Sequence, residues 1–238
     1  MSTALASTLL LSGCLITRLY EFKQQFCDYP NHFSFTLQDD FRISLRQPVL
    51  LDRDVIWLAG AKPSSIEQST ELKKMQWLVD KVLPDGATAD PTLDQLQVDM
   101  EFVPEDASYL LQEVVMDKRF AYVLAPELMD RHAENVCRSQ WLVLGRSGEI
   151  DLADADLSGQ PGRLEILEFL GQPTAVIDQG SGVLYEYRLQ GSETKGRQYS
   201  LEFWHEPANG ELIRSTTSSI RFATTTDFLQ KKMWIKVR

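Results

Sequence analysis

Phe33, Phe35 and Leu37 alternate with polar residues, and after Gln38-Asp39-Asp40 the alternation resumes at Phe41, Ile43 and Leu45. A period of two places all six on one face of a strand pair, whereas a helix would scatter them around its circumference. The segment therefore predicts an antiparallel hairpin with one wet face. Alternation recurs at Leu96, Val98, Met100 and Phe102, ending at Pro104-Glu105-Asp106. Residues 109–116 and 120–124 read as a second hairpin around Asp117-Lys118-Arg119. Residues 49–58 are apolar but broken by Leu51-Asp52-Arg53-Asp54, and residues 64–82 read as polar and helix-permissive. From Pro126, the residues Leu128, Met129, His132, Ala133, Val136 and Cys137 share one helical face.

Residues 147–162 are rich in glycine and acid and predict a linker. Beyond it, residues 163–170 form a short helix stopped by Gly171 and Pro173. Strand candidates follow at 183–189, 198–204 and 212–222, with Pro207-Ala208-Asn209-Gly210 as a hairpin turn. The expected fold is α+β in two parts. A β-rich domain with hairpins and a helix spans 15–146, and a small helix-plus-meander domain spans 163–238. No internal repeat is legible.

A formal net charge of −10 excludes a nucleic-acid partner, because phosphate neutralisation supplies most of that affinity. The one basic run, residues 231–238, reads as a final strand with solvated edges or as a contact for an acidic envelope surface.

Residues 4–16 are apolar over the length of a signal-peptide core, too short to span a bilayer. They end in Leu11-Ser12-Gly13-Cys14, which resembles the lipobox of bacterial lipoproteins. The resemblance implies cleavage before Cys14 and acylation of its thiol, so that residues 1–14 are the signal segment and the acyl chains anchor the protein to a membrane. Leu15, in place of an aspartate, implies the outer membrane with the body on the periplasmic side. In that oxidising compartment Cys27 and Cys137 are either a disulfide or two buried thiols.

The order helix, Leu170-Gly171-Gln172-Pro173-Thr174, tyrosine-rich strand and meander resembles the small BamE/OmlA-type domain of outer-membrane lipoproteins. That resemblance implies a compact module that binds envelope protein partners. Tyr185, Tyr187, Tyr199, Phe203 and Trp204 would then either anchor a partner on an uncovered sheet face or pack beneath the short helix.

Asp154, Asp156 and Ser158, with Glu165 closing the window, fit the calcium-loop template, although Pro161 stands where a hydrophobic residue is usual. The same residues also suit an acidic lead into a helix, with Ser158 and Glu165 as capping groups. His32, His132 and His205 have no metal-ligand spacing, and His205-Glu206 lacks a second histidine. No nucleophile elbow, phosphate loop or dinucleotide fingerprint occurs, and no cofactor is expected. The sequence thus leads to a lipid-anchored protein with a non-catalytic binding or scaffolding role. The alternative is a periplasmic enzyme or small-ligand binder whose site is assembled from distant residues.

Overall fold

The computed structural model describes residues 15–119, 139–142, 147–152, 160–191, 198–219 and 221–237, with Ala133, Val136 and Cys137. The first strands are β1 (Phe33–Leu37), β2 (Asp40–Leu45), β3 (Ser65–Gln68), β4 (Lys73–Lys81), β5 (Gln95–Glu105), β6 (Ser108–Asp117) and β7 (Gln140–Leu142). They continue as β8 (Ser147–Asp151), β9 (Ala175–Asp178), β10 (Val183–Gly191), β11 (Gln198–His205), β12 (Leu212–Ser218), β13 (Phe222–Asp227) and β14 (Lys232–Val237). The described helices are α1 (Leu15–Gln25), α2 (Tyr29–His32), α3 (Asp52–Ala59), α4 (Pro91–Asp94) and α5 (Arg163–Leu170).

All strands belong to one 14-stranded sheet, ordered β1-β2-β6-β5-β4-β10-β11-β12-β13-β14-β8-β7, with β3 on β4 and β9 on β10. Every described pairing is antiparallel, and the ends of the path do not meet, so the sheet is open. This corrects the expected two-part α+β fold. β4 pairs with β10 across the presumed boundary, and β8 occupies the first residues of the presumed linker. Alternation identifies strands, but it carries no information on which distant strand each one joins.

Residues 64–82 form the β3–β4 hairpin and not a helix. Met75 and Trp77 alternate there, and both are buried. Leu51-Asp52-Arg53-Asp54 is the start of α3, where the Asp54 carboxylate accepts the Leu51 N–H at 2.9 Å. β6 pairs with β5 and β2. Its presumed hairpin partner, 120–124, and most of the helix placed after Pro126 lie outside the described residues.

The sheet contains one unit twice. The run α3, β3, β4, β5, β6 recurs as α5, β9, β10, β11, β12, with the same pairings. Gly60 and Gly171, each with φ of 67°, follow the helices, a backbone that β-carbons disfavour. Ser69 donates its N–H to Leu72 O at 2.8 Å across one turn, as Gln179 does to Gly182 O at 3.1 Å across the other. Trp77 Nε1–H donates to Ala61 O at 3.3 Å, and Tyr187 O–H donates to Gly171 O at 3.0 Å from the same position. Ser64 Oγ accepts Leu78 N–H at 3.1 Å, as Thr174 Oγ1 accepts Arg188 N–H at 2.9 Å. The bulge between Glu101 and Phe102 recurs between Trp204 and His205, and Phe102 and His205 are both fully buried.

The units meet where β4 and β10 pair through Val79–Gly191, Asp80–Gln190 and Lys81–Leu189. Exchanging each residue for its equivalent returns the same three pairs, so the joint has the isologous character of a two-fold dimer contact. The last carbonyl of each helix is capped from the other unit. Tyr199 O–H donates to Ala59 O at 2.9 Å, and Lys81 Nζ donates to Leu170 O at 2.6 Å. One core gathers Val55, Met75, Trp77, Phe102 and Leu111 with Tyr29 and Phe33. A second gathers Ile166, Leu170, Tyr185, Tyr187, Leu201 and Phe203, and borrows Leu96 from the first unit, while a small third joins Ile150 and Leu152.

Candidate functional site

α1 directly follows Cys14, which lies outside the described residues. The helix is held to the body along its length. Leu19 and Phe22 pack on the first core. The Arg18 guanidinium makes two bonds to Asp54, with Nη2 to Oδ1 at 2.6 Å, so one carboxylate both caps α3 and fixes α1. Lys23 Nζ, buried, donates to Ser139 O at 2.9 Å, and burial lowers its pKa. Cys27, just beyond α1, forms a disulfide with Cys137 across 4.8 Å between Cα atoms. At the margin of this packed face α1 exposes Ile16 and Tyr20, 40% and 46% accessible, beside exposed Thr17, Glu21 and Gln24.

A second feature is the pair of edges left by the short strands β3 and β9, each paired on one side only among the described residues. The turn bond Gln179 N–H to Gly182 O fixes which β9 residues face β10, since bonded pairs alternate along an antiparallel ladder. Val176 and Asp178 therefore turn their N–H and C=O outward, and by the same count Ile66 and Gln68 do so on β3. Ile66, Val176 and Ile177 are 52%, 58% and 39% exposed. Apolar side chains on an unpaired edge form a template for one more strand.

The aromatic residues considered as partner anchors are divided. Tyr185 and Tyr187 are buried under α5, as is Phe203, and burial pushes the Tyr187 phenol well up. Tyr199 is half-buried and spends its hydroxyl on Ala59 O. Trp204 is half-buried and lies across Gly182, where an added Cβ would come within 1.9 Å of its Nε1. Tyr185, Tyr187 and Phe203 are thus committed to packing beneath α5, whereas Trp204, one residue on from Phe203, faces the other side of the sheet. The open edges escaped the sequence reading because residues 64–68 carry no strong alternation and β9 is only four residues long.

Of the calcium-loop residues, Asp154, Asp156 and Ser158 lie outside the described residues. Glu165 accepts the Gly162 N–H at 2.7 Å, the capping bond that Asp54 makes in the other unit. Among the described residues no group of three acidic, histidine or cysteine side chains is placed to hold a metal ion. His205 Nδ1–H donates to Gly210 O at 3.1 Å, its Nε2 has no hydrogen-bond partner among the described residues, and burial lowers its pKa. A groove on the outer sheet face is lined by Asp40, Arg42, Lys74, Asp99 and Glu101, but its cations are engaged: Lys74 with Glu101, Arg42 with Glu113 and Asp40. The basic run is β14, where Lys232 pairs with Glu149 of β8.

No family model and no curated protein matches the sequence. Among solved structures, a LolA superfamily protein from Nitrosomonas europaea is similar at 12% identity over 79% of this chain and 94% of that one, with a TM-score of 0.17. A superposition that loose carries no argument about fold or activity.

Proposed function

We propose that this chain is a lipid-anchored envelope protein with a non-catalytic binding role, held at the outer membrane on the periplasmic side by acyl chains on Cys14. The observation that carries the binding role is the recurrence in both units of a short strand with one side unpaired among the described residues, exposing Ile66 in one and Val176-Ile177 in the other. Each edge takes an extended segment of an envelope protein by strand addition, with backbone hydrogen bonds supplying affinity and the exposed aliphatic side chains supplying register. The envelope location is supported by Leu11-Ser12-Gly13-Cys14 and by the Cys27–Cys137 disulfide, a bond that persists in oxidising compartments. The BamE/OmlA likeness extends in this reading to both units, since the helix, glycine, proline, short strand and long strand order occurs twice. Tethering raises the effective concentration of the edges beside membrane partners.

The test is intact mass and membrane fractionation of the chain expressed in a bacterium, beside Cys14→Ala, followed by photocrosslinking from positions 66 and 176. Loss of residues 1–13 with added acyl mass, failure of Cys14→Ala to process, and a discrete crosslinked envelope protein are expected. An unmodified chain in the soluble fraction overturns the anchor. An acylated chain that yields no crosslink from either edge overturns strand addition.

A further inference from the structure

The chain between the anchor and the folded body is one peptide bond. Cys14 is followed by Leu15, already the first residue of α1, and consecutive Cα atoms are about 3.8 Å apart. At a rise of about 1.5 Å per residue, Tyr20 stands about 7.5 Å along the axis from Leu15. Nor can α1 swing away from the body. The Arg18–Asp54 pair and the Lys23–Ser139 bond fix it at two points along its length, and the Cys27–Cys137 disulfide ties the chain just beyond its end. A protein anchored in this way cannot hang from a flexible tether, so one fixed side of it must meet the bilayer.

The side that does so is set by helical geometry. Residues four apart lie on one face, and Ile16 and Tyr20 are the two exposed large hydrophobic side chains of α1. We infer that this flank is a membrane seat, with Ile16 and Tyr20 lying among the headgroups of the leaflet that holds the acyl chains. The inference rests on acylation of Cys14. An amphipathic tyrosine suits interfacial depth, and Thr17, Glu21 and Gln24 beside it are polar enough for headgroups but not for the hydrocarbon core. Glu21 on this flank and the net charge of −10 favour a zwitterionic surface over a strongly anionic one. Seating fixes the orientation of the body and hence the height at which the β3 and β9 edges are presented.

The test uses full-length acylated protein, its acylation verified by mass, in vesicles of phosphatidylethanolamine and phosphatidylcholine. Nitroxide labels are placed through Tyr20→Cys or Leu229→Cys, both exposed positions, the latter 76% accessible. Power saturation compares access to oxygen, which concentrates in lipid, with access to a water-soluble nickel chelate. The expected oxygen-to-nickel ratio at position 20 is several-fold higher than at position 229. Equal, nickel-dominated access at both positions in an acylated chain overturns the seat while leaving the anchor standing. A chain without acyl mass overturns both.

Discussion

Lys81 offers the sharpest test of whether the two units act as one body. Its side chain is 3% exposed, and its ammonium reaches Asp94 Oδ1 at 2.5 Å and Leu170 O at 2.6 Å, with the Tyr187 ring 5.8 Å away. Asp94 and Lys81 belong to the first unit and Leu170 and Tyr187 to the second, so the contact spans the joint. Lys81→Met keeps the stem and removes the charge. It strands a carboxylate that is 12% exposed and a helix-terminal carbonyl. Removing one partner of a buried pair costs about 3–5 kcal/mol. Asp94 retains the Asp90 N–H at 2.7 Å and some access to water, which places the cost near the lower end, about 3 kcal/mol. For a chain of this size that is a fall in Tm of roughly 6–12 °C. Urea unfolding of wild type, Lys81→Met, Asp94→Asn and the double variant gives the coupling, expected above about 1 kcal/mol because the residues share one network. A loss below about 1 kcal/mol for Lys81→Met, or strict additivity in the cycle, refutes the clasp.

Two further outcomes follow from single groups. His205 is buried with Nε2 unpartnered, and its folded pKa lies below the usual 6.5, so the unfolded chain takes the proton first and stability falls as pH drops below about 6.5. His205→Phe, which installs the side chain that Phe102 carries at the equivalent place, removes that component. The difference between the two melting curves should grow from neutral pH to pH 5 by no more than about 1.4 kcal/mol per unit, and a difference independent of pH refutes the assignment. The Cys27–Cys137 bond closes a loop with a sequence separation of 110 residues and stabilises by up to about 4–5 kcal/mol through the unfolded state. Cys27→Ala with Cys137→Ala should lower Tm as far as reduction of the wild type does, and two titratable thiols in protein purified without reductant from an oxidising compartment would contradict the bond.

What the sequence makes legible is the part of the fold with local causes. Phe33 to Leu45 alternates because one face is buried, and the hairpin forms in that register. Gly171 and Pro173 stop α5 because a left-handed backbone and a missing N–H permit nothing else there. The duplication is hidden for an equally physical reason. The positions the units share are defined by what they do, and different side chains do it: Trp77 and Tyr187 each donate to a carbonyl within two residues of the helix end, and Asp54 and Glu165 each cap their own helix. One hydrogen bond is retained at each position while identity is not, and the joint of three backbone pairs imposes no side-chain pattern. The open edges are hidden for the opposite reason. An edge strand buries little, so nothing compels β3 or β9 to alternate, and their function would rest on backbone groups that every residue possesses. A surface that binds through main-chain atoms therefore leaves almost no trace in composition. It becomes visible only when the partner strands are in place and one side of the ladder is seen to have none.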